Sequence, residues 1–206
     1  MTIRHHIPDG LMMAYSAGQL PEAFSLVVAT HVSVCDECRA QLGAVVARSD
    51  GVAMRDGSLE ALMSRLDALP PVARPVARAR GFFPAPLHDY VGGDLDAVRW
   101  RPVGMGVRQA ILPTERGATV RLLHIPAGVP VPDHGHRGLE MTMVLRGAFR
   151  DSQAVFGPGD VEVADSELEH TPVAEPGEDC ICLAATDAPL RFSGFMPRIA
   201  QKFLRI

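Results

Sequence analysis

At 206 residues, with 47% apolar and 21% charged side chains, the chain has the make-up of an ordinary globular protein and room for one or two domains. The net charge is −4 and Lys202 is the sole lysine, which argues against a broad nucleic-acid surface; a part in transcription would run through a bound protein and not through DNA. No apolar run reaches the roughly 18 residues that span a bilayer, and Met1-Thr2-Ile3-Arg4-His5-His6 lacks the apolar core of a secretory signal, so the chain is expected in the cytoplasm.

Residues 1–68 read as four short helices. Asp9 is placed to cap the first, which runs through Leu11, Met12, Met13 and Tyr15 and ends at Gly18. Pro21 suits the first turn of the second, where Phe24, Val27, Val28 and His31 fall on one face. The third carries Cys38, Leu42, Val45 and Val46. The fourth carries Leu59, Leu62, Met63 and Leu66, with Ser58 as its cap. From Leu69 to Gly81 proline, arginine and small residues replace periodicity, and residues 69–88 are expected to be a linker. From about Val91 short apolar runs bounded by Gly, Pro and Asp predict strands: Val107 to Ile111, Thr119 to Ile125, Met141 to Leu145, Val161 to Val163 and Cys180 to Leu183. The expected architecture is thus an all-α first domain and an all-β sandwich or barrel over 89–196, with residues 197–206 as a tail.

Four cysteines fall in two close pairs, Cys35/Cys38 and Cys180/Cys182. In a reducing cytosol such pairs are more often metal ligands or redox groups than structural crosslinks. His31-x3-Cys35-x2-Cys38 offers an imidazole and two thiolates, a set that suits Zn²⁺. Residues seven apart on one straight helix stand about 10 Å apart along its axis, too far for one zinc with ligands at about 2.0–2.3 Å. The second helix is therefore expected to stop near His31 and the third to start near Cys35, with Ser33 and Asp36 in a start like a capping box. His6 is the best fourth ligand, His5 is a close competitor, and Asp36 or Glu37 would be poorer ones. This pattern, within four helices, resembles the zinc-binding anti-sigma family.

The second constellation lies in the β part. Gly128-x5-His134-x-His136-x3-Glu140-x6-Gly147 matches the first cupin motif at each fixed position. His134 and His136 share a face of an extended segment, and Glu140 falls on the same parity. His170, after the Gly157-Pro158-Gly159-Asp160 turn, is the fourth candidate, although the turn departs from the usual second cupin motif. Three imidazoles and a carboxylate suit a first-row divalent ion such as zinc, manganese, iron or nickel, and ligand softness does not choose among them; zinc is the first expectation. Cys180 and Cys182 share a strand face; packing as small buried side chains is the simpler reading, and an oxidant-sensitive pair near the cupin metal is the alternative. His88 and His124 have no assignable partner.

A zinc head joined to a C-terminal cupin, with Cys180-Ile-Cys182 after the last cupin ligand, resembles the ChrR-like zinc-binding anti-sigma factors over nearly the whole chain. That resemblance implies a jelly-roll cupin barrel and one bound extracytoplasmic-function (group IV) sigma factor. It also implies release of that partner under oxidative stress from singlet oxygen and organic peroxides, and no catalytic residues. Residues 1 to about 85 are then expected to hold the sigma factor unaided. A metal-dependent cupin enzyme, a dioxygenase or isomerase with an accessory zinc domain, is the alternative, since fold alone does not decide function.

Overall fold

The structure, a computed structural model, describes residues 2–49, 81–131, 134–135, 138–165, 169–188 and 191–192. The expected fourth helix near 58–66, the 69–80 part of the linker, His136 and the tail from 197 fall outside these residues.

Helix α1 spans Asp9–Ser16. Its N-cap is Pro8, one residue before the expected Asp9, whose carboxylate instead accepts from the Gln41 amide of the third helix. Gly18, at φ 66°, takes the left-handed turn that lets Gly18 N and Gln19 N donate back to Tyr15 and Ala14. Helix α2 spans Glu22–Val34 with Pro21 as N-cap, and Phe24, Val27, Val28 and His31 are all at most 1% exposed. Cys35 breaks the helix with an extended backbone (φ −106°, ψ 109°), and α3 follows over Asp36–Ser49. The capping box does not form. Ser33 donates its hydroxyl to the Thr30 carbonyl at 2.7 Å, and the Cys35 sulfur accepts from Cys38 N at 3.4 Å, filling the N-cap position itself.

The next described element is again helical. Ala85–Val91 forms α4, where the sequence suggested linker and then strand, and a 3₁₀ turn at Leu95–Ala97 precedes the first strand. Pro84 starts α4 and left-handed Gly92 ends it. Phe83 and Leu87 are buried in the same cluster as Phe24, Val27 and Val28 of α2.

Among the described residues twelve short strands follow: β1 Arg101–Gly104, β2 Val107–Leu112, β3 Thr119–Ile125, β4 His134–Gly135, β5 Glu140–Arg146 and β6 Phe149–Arg150. Then come β7 Val155–Phe156, β8 Val161–Ala164, β9 Glu169–His170, β10 Val173–Ala174, β11 Cys180–Thr186 and β12 Arg191–Phe192. The main sheet has the order β1-β2-β3-β11-β5-β8, all neighbours antiparallel, beside two three-stranded sheets, β10-β6-β7 and β12-β4-β9. Among the described residues these ladders make three sheets and not one closed ring.

Alternation along the strands separates the two faces of the main sheet. Val120, Leu122, Met141, Met143, Val161, Leu183 and Ala185 belong to one buried cluster with the helices, whereas Val107, Ile125, Val144, Cys180 and Cys182 pack with Phe149, Phe156 and Ala174 of the second sheet. Among the described residues the main sheet therefore carries the helices on one face and the β10-β6-β7 sheet on the other. Helix α2 lies against β11, β5 and β3. The helical head and the β domain share one core.

Candidate metal centre

The break at Cys35 is what assembles the first site. It turns α3 back so that Cys38 reaches the last turn of α2, and the extended segment before α1 brings His6 to the same place. The ligand atoms of His6, His31, Cys35 and Cys38 all lie within 4.8 Å of one another. Nε2 of His31 is 3.2 Å from Cys38 Sγ, while Nδ1 of His6 is 3.4 Å from Cys35 Sγ and 3.6 Å from Cys38 Sγ. A tetrahedral zinc with bonds of about 2.0–2.3 Å sets neighbouring nitrogen and sulfur ligands about 3.6 Å apart. Donor set and spacing both fit that ion. His5 is not in the group; its ring faces the Asp160 carboxylate at 3.3 Å and lies tilted against the Phe156 ring, centroids 4.5 Å apart.

The far nitrogens of both rings are also engaged. Nδ1 of His31 donates to the Gly159 carbonyl at 2.9 Å, and a carbonyl can only accept, so Nε2 is the ring's free lone pair. Nε2 of His6 meets the Glu37 carboxylate at 3.3 Å, which leaves Nδ1 to ligate. Such outer partners set the tautomer and basicity of metal-bound histidine. Burial pushes the His31 pKa down; the neighbouring His6 adds to this, the Gly159 carbonyl and Asp160 oppose it, and the net favours the neutral imidazole a metal needs. Burial pushes the Cys38 thiol up to about 11, against the help of the Ile7 backbone N–H, so a thiolate there requires a cation beside it. Burial would raise Asp160 as well, but the backbone N–H groups of Arg4, Gly157 and His5 and the His5 ring outweigh it and hold the carboxyl below its ordinary value.

On the β side, His134 and His170 stand directly opposite each other across the β4–β9 pair, and Glu140 opens β5 opposite Ala164 of β8. Glu140 is 9% exposed and accepts from Thr142 Oγ1 at 3.1 Å. Arg121, also buried, feels the Glu140 charge, and its guanidinium donates to the Gln109 side chain at 3.3 Å. Neither Arg121 nor Gln109 was singled out from the sequence; Arg121 stands between apolar Val120 and Leu122, while Gln109 follows Arg108 and carries no such signal. Cys180 and Cys182 are buried with sulfurs 3.4 Å apart. The hydrogen bond to Cys180 and then burial raise the Cys182 thiol well above its ordinary value, the opposite of a reactive thiolate. His124, for which the sequence offered no partner, sits between Arg108 and Asp179 with its edge toward Trp100. His88 lies 3.6 Å from the Asp89 carboxylate.

Comparison with known proteins adds identity to this geometry. A family profile described as the ChrR cupin-like domain matches residues 89–189. The anti-sigma-E factor ChrR of Cereibacter sphaeroides is 61% identical over 213 aligned residues, covering 100% of both chains. A crystal structure of Rhodobacter sphaeroides SigE in complex with the anti-sigma ChrR is matched with a TM-score of 0.74 at 58% identity, over 90% of this chain and 100% of that one. With a His₂Cys₂ group able to hold zinc in its head and a cupin-like β domain behind it, the chain belongs to the ChrR family of anti-sigma factors.

Proposed function

We propose that this chain is a cytoplasmic regulator that binds an extracytoplasmic-function sigma factor, one to one, and keeps it from RNA polymerase. The carrying observation is the full-length identity to an anti-sigma factor, together with the match to the anti-sigma chain of a sigma complex. The partner is a protein and the mechanism is occlusion, not catalysis. Among the described residues no helix is long and apolar enough to cross a membrane, which is compatible with action beside the polymerase.

In this reading His6, His31, Cys35 and Cys38 hold zinc, which supplies folding free energy to a head too small to rely on its own core. The cupin holds a second divalent ion through His134, His136, Glu140 and His170. Support for the second site is narrower: the sequence motif, the opposed positions of His134 and His170, and the buried carboxylate of Glu140. An oxidant of the singlet-oxygen type acts at the cupin, and the sigma factor is released.

A sigma-dependent reporter tests both halves. Cys38→Ala is expected to lose the head's zinc and to leave the reporter constitutively active. Glu140→Ala and His170→Ala are expected to repress normally and to fail in release when singlet oxygen is generated. Repression by Cys38→Ala protein shown to lack zinc would reject the role of the first site. Normal induction in the cupin variants, with their metal shown to be gone, would reject the role of the second.

A further inference from the structure

We infer that the cupin turn Gly157-Pro158-Gly159-Asp160 is the outer wall of the head's metal centre. Through it the β domain sets the affinity and ligand geometry of the His6, His31, Cys35, Cys38 site. The inference rests on the zinc reading above and names the contact that would carry regulation.

Two of the four ligand arms are hydrogen-bonded to this turn. The first is His31, fully buried, whose Nδ1 donates to the Gly159 carbonyl. The second is the extended segment ending in His6. Asp160 Oδ1 accepts from Arg4 N at 2.6 Å and from His5 N at 3.0 Å, and the His5 carbonyl accepts from Val161 N at 3.2 Å. Asp160 Oδ2 meets the His5 ring at 3.3 Å and accepts from Gly157 N at 2.8 Å, closing the turn on itself. The aspartate side chain is 5% exposed, so water has little access to replace these bonds.

The turn is in its turn fixed to the cupin. Gly159 N donates to the Val144 carbonyl at 2.8 Å, and Val144 N donates to the Asp160 carbonyl at 3.0 Å. Val144 lies on β5, the strand that opens with Glu140; Asp160 leads into β8, which pairs with β5 and leads on to His170. A strand rises about 3.3 Å per residue, so Glu140 and Val144 are separated by roughly 13 Å of one stiff element. A shift of β5 against β8 at the cupin ligands moves the Gly159 carbonyl, and with it the imidazole of His31. Loss of an outer partner of a metal-bound histidine weakens metal binding by about 10–100-fold.

The experiment uses the full chain loaded with cobalt in place of zinc, and the thiolate-to-cobalt absorption reports Cys35 and Cys38. Asp160→Asn turns one accepting oxygen into a donor facing a backbone N–H. Arg4→Pro deletes one donor to Asp160 without touching the cupin. Both are expected to shift that absorption and to weaken zinc about tenfold or more in competition with a chromophoric chelator. Val107→Ala, which opens the far face of the sheet, is expected to lower the melting temperature and leave both readouts alone. Glu140→Ala is expected to shift the cobalt absorption in the parent chain and to add nothing in the Asp160→Asn background. Unchanged absorption and zinc affinity in folded Asp160→Asn protein would overturn the inference; should that variant not fold, the same result in Arg4→Pro would do so. Additive effects of Glu140→Ala and Asp160→Asn would overturn the coupling. No sigma factor or oxidant enters these measurements. A chain that shows the shifts but binds no sigma factor rejects the proposed function and leaves the turn's role standing, and the converse result does the reverse.

Discussion

Each histidine of the head's metal group has a nitrogen to spare, and what meets that nitrogen differs. His31 finds a buried carbonyl; His6 finds Glu37, whose side chain is 76% exposed. Water can stand in for an exposed carboxylate and cannot for a buried acceptor, so the two outer bonds are unequal. Glu37→Gln is expected to weaken zinc by no more than about tenfold, the low end for an outer partner, as measured by chelator competition; a larger loss would mean that Glu37 itself ligates. The sequence announced His31, Cys35 and Cys38 because all three are local and the helix break between them is a geometric necessity. It ranked His6 above His5 but gave no physical ground for excluding His5. That choice is made by Asp160, more than 150 positions away, which takes the backbone and ring of His5 and leaves its neighbour for the metal. Gly159 was invisible in this role, since a carbonyl is common to every residue.

Among elements, α2 and α4 make an instructive pair. The apolar spacing of α2 was plain from Phe24 to His31, and those positions are buried. Helix α4 has seven residues, too few for a period to show, and its boundary residues Pro84 and Gly92 sat in a stretch already rich in both types. Tertiary packing makes it a helix: Leu87 is fully buried beside α2, and the Tyr90 hydroxyl donates to Glu22, whose carboxylate also accepts from Glu115 N at 2.5 Å. Leu87→Ala should therefore destabilise the protein by about 2–5 kcal/mol, measured by urea denaturation with metal present. A cost under about 1 kcal/mol would show α4 to be ornamental. The five strands named from the sequence were located to within a few residues, β3 without error, because each is a short apolar run bounded by turn residues; β1, β4, β6, β7, β9, β10 and β12, of two to four residues each, are too short to show such a run. Among those five the largest shortfall is the end of β11, at Ala184, Ala185 and Thr186, which are small or polar and were outside the apolar run.

For the molecule as a whole, the sequence suggested a helical head, with apolar surface along its helices, joined by a linker to a cupin. The structure spends part of that surface internally. Val27 and Val28 of α2 share a core with Met141, Met143 and Leu183 of the sheet. Each such side chain contributes about 1.5–3 kcal/mol on full burial, so a head cut off near residue 85 would bare Val27 and Val28 and is expected to be less stable than the same residues in the full chain. Calorimetry on the metal-loaded chain is expected to give one cooperative transition, not two; two well-separated endotherms would mean that the shared core does not couple the halves. The shared core also bears on ancestry. A segment rich in proline and arginine, such as residues 69–80, invites the view of two cassettes open to shuffling by recombination. A foreign cupin joined here would present the wrong relief to α2 and lack a carbonyl where His31 needs one, so head and sheet must drift in step and be inherited as one piece.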